Sequence, residues 1–336
     1  MKNIVLALLL FHASLAGASD KFEFVVLGDT AYTDTSYTDY EKLIDKINDS
    51  DPAFSIHVGD TLGYQSCTDE TYDRIDGFFS RFEMPLVYTP GDNEWTDCEE
   101  PGSDARASGD WEAVANYKLS RLAELRSRYF SIDESLGKRK ITQKRQSEYG
   151  KDEHKAFVEN AYWIHGGVLF GTVHIVGSSD GFHPYILGQT HESVARRGAN
   201  YSWIMRMADI AEEHDVKAIV LAAHGDMFER REKSPHGSPF SGTMIRGGKY
   251  GPYVGYVHAM SVLASKFARP ILLVHGDHHR FVIDRPMMMK GDDDEPDKLR
   301  YQNLTRLQVF GAPELRAVKV SVNPESDSVF GFSALY

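Results

Sequence analysis

Five times in this chain a short apolar run ends in glycine together with aspartate or histidine, and that recurrence limits the possible folds more than any other feature. Phe22 to Leu27 leads into Gly28-Asp29, Phe54 to Val58 into Gly59-Asp60, and Pro85 to Thr89 into Gly91-Asp92. Later, Ala218 to Ala223 leads into His224-Gly225-Asp226, and Pro270 to Val274 into His275-Gly276-Asp277-His278-His279. Short apolar runs bounded by turn residues read as strands buried on both faces, as in parallel sheets. Helical patterns at Tyr37 to Ile47 and Thr71 to Phe82 separate the first three runs. The first third is therefore a β-α-β-α-β series with a parallel sheet. Strand ends of such a sheet lie along one edge, so the acidic, amide and imidazole groups they carry should converge there.

The remainder is less regular. Residues 96–160 are polar, with a helix expected from Asp110 to Tyr129 and a charged, irregular stretch from Lys138 to Lys155. Within it, Arg145 is a candidate phosphate contact through its guanidinium fork. A strand is expected at Val168 to Val176 and a helix at Val194 to Glu213. Short strands at Gln308 to Phe310, Ala317 to Val322 and Val329 to Ser333 close the chain in a sheet, and the acidic run in Gly291 to Asp297 reads as a solvated loop. Residues 19–336 are thus expected to form one α/β domain with an insert at about 96–160.

Charge and leader narrow the setting. The 37 Lys and Arg against 49 Asp and Glu leave a net charge of −12. That field repels phosphate backbones and anionic membranes, so nucleic acid is not expected as a partner. Lys2, the apolar run Ile4 to Phe11 and the small residues Ala16-Gly17-Ala18 have the layout of a signal peptide over residues 1–18. The apolar run is too short to span a bilayer. The expected location is secreted or periplasmic, with no membrane anchor after cleavage. Cys67 and Cys98 are the only cysteines, and an even count in an oxidising compartment favours a disulfide between them. Asn48, Asn200 and Asn303 begin glycosylation acceptor patterns.

Carboxylates, imidazoles and amides gathered at one edge are a ligand set for two divalent cations, because carboxylates can bridge while the others complete each shell. The ordered motifs Gly28-Asp29-Thr30-Ala31, Gly59-Asp60-Thr61-Leu62-Gly63, Gly91-Asp92-Asn93-Glu94, Ala223-His224 and Gly276-Asp277-His278-His279 resemble those of the calcineurin-like metallophosphoesterase superfamily, with most likeness to the purple acid phosphatase-like branch. The resemblance implies a four-layer α/β/β/α sandwich with a dinuclear metal site. It implies that Asp29 and His279 bind one metal, that Asp60 bridges, and that Asp92, His224 and Asp277 complete the set, with His275 as the alternative to Asp277. The chain departs from the pattern at several places. Ala31 stands where many members have histidine, and Gly63 where the branch has a metal-bound tyrosine. Asp92 stands for the usual asparagine, Asn93 for the catalytic histidine, and Asp277 for the first histidine of the last motif.

The function implied is hydrolysis of a small phosphate ester by a metal-activated water. Asn93 and Glu94 are the candidate catalytic residues: Asn93 to hold a phosphate oxygen, and Glu94 as acid or as orienting partner. As an amide, Asn93 cannot protonate the leaving group, so the donor is Glu94, His57, His278 or water on the metal. The cofactors are two divalent ions among Mn, Mg, Fe and Zn, with Mn or Mg favoured by the excess of carboxylate donors. The alternative reading is a catalytically degenerate binding or scaffold protein on the same fold, motivated by Ala31, Asn93 and Asp277.

Overall fold

The computed structural model describes residues 21–63, 67–149, 152–228, 251–287 and 301–336. The expected signal peptide and the acidic loop at 291–297 lie outside the described residues. The strands are β1 (Phe22–Leu27), β2 (Ser55–His57), β3 (Leu86–Tyr88), β4 (Lys144–Arg145), β5 (Ala161–His165), β6 (Val168–Thr172), β7 (Ala218–Ala222), β8 (Ile271–His275), β9 (Val282–Asp284), β10 (Leu304–Gln308), β11 (Ala317–Val322) and β12 (Phe330–Leu335). The helical segments are α1 (Asp34–Asp49), α2 (Asp69–Phe79), α3 (Ala105–Ser108), α4 (Trp111–Tyr129), α5 (Gln146–Tyr149), α6 (Gly177–Asp180), α7 (Leu187–Glu213) and α8 (Val254–Phe267), with a 3-10 turn at Asp152–His154.

Two sheets form. One has the order β12-β11-β1-β2-β3 and the other β4-β5-β6-β7-β8-β10-β9. The strands β1, β2 and β3 are parallel, as are β6, β7, β8 and β10. Side chains alternate across a strand, so strands covered on both faces, such as β2, β3, β6, β7 and β8, are buried at every residue. In β1, Phe24 and Val26 join the core between the sheets, while Val25 and Leu27 face the helices. In β8, Leu272 and Val274 point between the sheets, and Ile271 and Leu273 point outward. Helices α1, α2 and α4 cover the outer face of the first sheet with Leu43, Ile44, Ile75, Phe79 and Leu125. Helices α7 and α8 cover the second with Trp203, Met207, Tyr256 and Leu263. The layers run helix, sheet, sheet, helix, as expected.

Several elements differ from the sequence reading. The helix expected from Val194 begins at Leu187, and the strand expected to reach Val176 leaves the sheet after Thr172. The strand placed at Gln308 to Phe310 is β10, shifted back over Arg306. That charged residue is tolerated inside a strand because its guanidinium forks onto Asp284 at 2.8 and 2.6 Å. The sequence reading places no element at β5 or α8. Arg145 is not a phosphate contact. It is buried and donates to the carbonyls of Ile132 and Val158. The three acceptor-pattern asparagines spend their carboxamides internally, Asn48 on Arg81, Asn200 on His174 and Tyr256, and Asn303 on Ala264 and Arg269.

Cys67 and Cys98 are joined, with Cα atoms 5.7 Å apart, so the loop after β2 is tied to the loop after β3. Buried Lys118 of α4 donates to the carbonyls of Thr96 and Cys98 and fixes the second loop from below. The bridge closes a sequence separation of 31 residues, which on the chain-entropy model stabilises by about 3–4 kcal/mol. Replacing both cysteines by serine should lower the unfolding free energy in urea by that amount. An unchanged midpoint would show that the loops hold together without the bridge.

Candidate metal centre

The three parallel strands of the first sheet and the two central strands of the second end on the same edge of the sandwich. Asp29, Asp60 and Asp92 come from the loops after β1, β2 and β3, and His224, Asp277 and His279 from the loops after β7 and β8. Asp29, Asp60 and His224 offer donor atoms within 4.8 Å of one another, and so do Asp92, His224 and Asp277. Asp29 and His224 have no exposed surface, and Asp60 and Asp92 are buried.

The backbone is bent hard to deliver these groups. Asp29, Asp60, Asp277 and His279 all take positive φ, at 51°, 53°, 78° and 53°. Non-glycine residues seldom do so, and such strain concentrates at functional sites. The motif glycines matter for a related reason: a Cβ at Gly91 would collide with the Asp60 carboxylate, and one at Gly276 with that of Asp29.

Peptide N–H groups compensate part of the negative charge. Asp277 N–H donates to both oxygens of Asp29 at 3.1 Å, Asn93 N–H to Asp60 Oδ1 at 3.0 Å, and Asp226 N–H to Asp277 Oδ2 at 3.2 Å. The imidazoles are aimed by their other nitrogens. His224 Nδ1 donates to the Val58 carbonyl at 2.7 Å, and His279 Nδ1 to that of Ala312 at 2.7 Å. In the neutral ring each Nε2 then carries a lone pair into the cluster, as ligating histidines do.

His224 Nε2 lies 2.9 Å from Asp92 Oδ1 and 3.4 Å from Asp60 Oδ1, an ion pair when the ring is charged. The Tyr32 hydroxyl faces Asp60 Oδ2 at 2.8 Å, Asp29 Oδ1 at 3.3 Å and His279 Nε2 at 3.1 Å, so one proton serves three acceptors. Burial works against a charged His224, but Asp60 and Asp92 outweigh it and hold the ring well above its usual pKa. Burial likewise pushes the Asp92 carboxyl up, and the His224 contact overrides this and sets it at about 2. The cluster calls for positive charge, and buried acceptors in excess of protons are the chemistry of a cation site.

The remaining candidates fall into place around it. Glu94 accepts from three backbone N–H groups, those of Asp60, Thr61 and Gly91, at 2.7–3.0 Å, and is buried. It stitches the second motif loop to the third. Asn93 is half-buried, and its amide nitrogen donates to the Leu62 carbonyl. His275 does not join the cluster: Nδ1 meets the Gly276 carbonyl, and Nε2 lies 3.8 Å from Asp226 Oδ1. Asp277 lies among the clustered donor atoms, with Asp92 and His224. His278 packs beside it with Nδ1 3.1 Å from Asp226 Oδ2.

Two contributors have no counterpart in the sequence reading. Tyr32 comes from the first motif loop, which pairs with the second through an Ala31–Leu62 bridge. Gly63 leaves room for the Tyr32 backbone. Ser178 sits on α6, a single turn of left-handed backbone with φ of 47°, 62° and 57° at Ser178, Ser179 and Asp180. Such a conformation costs about 1–2 kcal/mol per residue. Only the run of small residues Gly177-Ser178-Ser179 hints at it in sequence.

His57 is fully buried and accepts the Gly59 N–H at Nδ1. Burial, with His224 adding to it, lowers its pKa from 6.5 to about 3. An unfolded chain takes up a proton below pH 6.5 that the folded site refuses, so stability is lost as pH falls from 6.5 toward 3. His57→Asn keeps an acceptor for Gly59 without titrating. Its stability should fall less steeply below pH 6.5, by up to about 1.4 kcal/mol per pH unit. Equal slopes in urea unfolding from pH 7 to about 5 would show that the folded ring is protonated in this range.

No family model matches the chain, and no curated protein matches it. In fold it is similar to a dimetal phosphatase from Danio rerio. The crystal structure of that protein superposes with a TM-score of 0.50, covering 93% of this chain and 98% of the other, at 9% sequence identity. The likeness establishes the fold: this chain is a mixed α/β sandwich with the architecture of that protein.

Proposed function

We propose that this protein is a secreted or periplasmic metal-dependent phosphoesterase acting on a small phosphate ester. The observation that carries the reading is the crowding of four carboxylates, Asp29, Asp60, Asp92 and Asp277, around His224 at the shared edge of both sheets, in two sets of donor atoms that each lie within 4.8 Å of one another. The dimetal phosphatase on the same fold supports it, and the disulfide supports an oxidising compartment. The missing imidazole at Ala31 sides with the purple acid phosphatase-like branch.

Asp29, His279 and Tyr32 would hold one divalent cation, Asp92, His224 and Asp277 the second, and Asp60 both. The cations supply a water of lowered pKa and charge neutralisation at phosphate. Asp60 keeps one oxygen on the Asn93 N–H, which fixes its plane. Glu94 is a positioning residue, since its carboxylate is committed to the peptide groups of two motif loops. His57 is sealed in the core. Of the side chains considered as proton donors, this leaves His278, whose ring Asp226 orients. Asn93 supports the second reading, a metal-binding protein without turnover, because an amide at that position cannot donate a proton to a leaving group.

Metal analysis of purified protein, combined with hydrolysis of an aryl phosphate under several divalent ions, tests the reading. Two metals per chain with turnover is the expected result; bound metal without turnover on any phosphate ester selects the second reading. Asp60→Asn should abolish turnover and remove most of the bound metal, and near-normal activity with two bound metals would remove Asp60 from the site. With four carboxylates facing the cluster, Mn²⁺ or Mg²⁺ should support activity better than Zn²⁺. Asp277→His should shift that ranking toward Zn²⁺. An unchanged ranking would show that Asp277 is not a ligand.

A further inference from the structure

The left-handed turn at 178–181 is held by a buried network of groups. Asp180 Oδ1 accepts from Arg196 Nη1 at 2.6 Å, and Oδ2 from the Tyr256 hydroxyl at 2.8 Å. The Asp180 N–H donates to the Tyr253 oxygen, the Tyr253 hydroxyl to the Val176 carbonyl, and Arg196 Nη2 to the Asp180 carbonyl. Arg196, Asp180, Tyr253 and Tyr256 have no exposed surface. A charged pair buried this deeply repays its desolvation only where its remaining polar atoms are hydrogen-bonded, as Arg196 is to Glu192 and His174 and Asp180 is to Tyr256.

What the turn presents is two residues at the metal centre. A Cβ at Gly177 would lie 2.5 Å from both Asp92 Oδ1 and Asp277 Oδ1, so only glycine leaves room there for both carboxylates. Ser178 Oγ lies 2.8 Å from Asp92 Oδ2 and 2.8 Å from Asp97 Oδ2. Asp92 is thereby divided: Oδ2 is engaged by the hydroxyl, and Oδ1 is turned toward His224 and Asp277.

We infer that Ser178 is a positioning residue for the metal centre, which locks Asp92 as a one-oxygen donor, and that the Arg196–Asp180 pair acts on metal affinity through the strained turn. The inference rests on the dinuclear reading above. Outer groups that orient ligands typically change metal affinity by about 10- to 100-fold when removed. The strained backbone supplies a variant that separates this role from folding. Ser178→Gly removes the hydroxyl but relieves the left-handed strain, so it should fold at least as stably as the wild type. Ser178→Asn keeps a donor on a side chain that tolerates this backbone.

The test is calorimetric titration of the metal-free full chain with Mn²⁺, with thermal unfolding followed in parallel. Ser178→Gly is expected to weaken one of the two Mn²⁺ sites by about tenfold or more with an unchanged or higher melting temperature, and Ser178→Asn to recover most of the loss. Arg196→Met should weaken the same site. Wild-type affinity at both sites in Ser178→Gly overturns the inference and leaves the phosphoesterase reading standing. A wild-type protein that binds no Mn²⁺ overturns both. Two wild-type sites that weaken as described, without phosphate ester turnover, uphold the clamp and remove the enzyme.

Discussion

Four carboxylates crowded at the meeting edge of two sheets set the terms for the rest of this molecule. Asp29, Asp60, Asp92 and Asp277 would repel one another strongly in a buried setting, and the fold answers with peptide dipoles before any ion is considered. N–H groups of Asn93, Asp226 and Asp277 point at these carboxylates. Positive φ at Asp29, Asp60, Asp277 and His279 is the further backbone strain that the crowding exacts. Glu94, a fifth acid, solves the reverse problem by collecting three donors that would otherwise be buried without acceptors.

The two halves of the cluster belong to different sheets, and backbone contacts tie them across the gap. His224, from the second sheet, is anchored on the Val58 carbonyl of the first, and Asp277 on Asp29. Neither sheet holds a complete ligand set. The parallel strands in each half explain why the donors arrive at the same end, and the apolar layer between the sheets explains why they meet in a site shielded from water. The Cys67–Cys98 bridge and Lys118 add restraint to the loops after β2 and β3.

Much of this was legible in sequence because the strands are short, apolar on both faces and closed by Gly-Asp or histidine, so the period of the chain and its chemistry change at the same residue. Asp29, Asp60, Asp92, His224, Asp277 and His279 sit where that change occurs. Tyr32, Ser178 and the Arg196–Asp180 pair were not legible, because their roles depend on contacts made across the chain. Tyr32 resembles any loop tyrosine until the first motif loop folds beside the second. Ser178 lies 86 residues from Asp92, and nothing in the intervening chain marks the turn as left-handed. The strand at β10 was misplaced for a similar reason: Arg306 is an unlikely strand residue until Asp284 is beside it.

Because each sheet contributes half of the donors, the spacing of the centre is set by the thickness of the layer between the sheets. Phe24, Phe54, Phe170 and Trp163 stack or meet edge-to-face there, with ring centroids 4.9–5.5 Å apart. They act as spacers. Close-packed interiors transmit small volume changes instead of absorbing them. Trimming one of these rings would let the sheets approach or tilt, and the displacement would be felt at the far edge as an altered distance between His224 and Asp60. The aromatic layer thus sets how far apart the two halves of the donor cluster stand, although none of its side chains belongs to it.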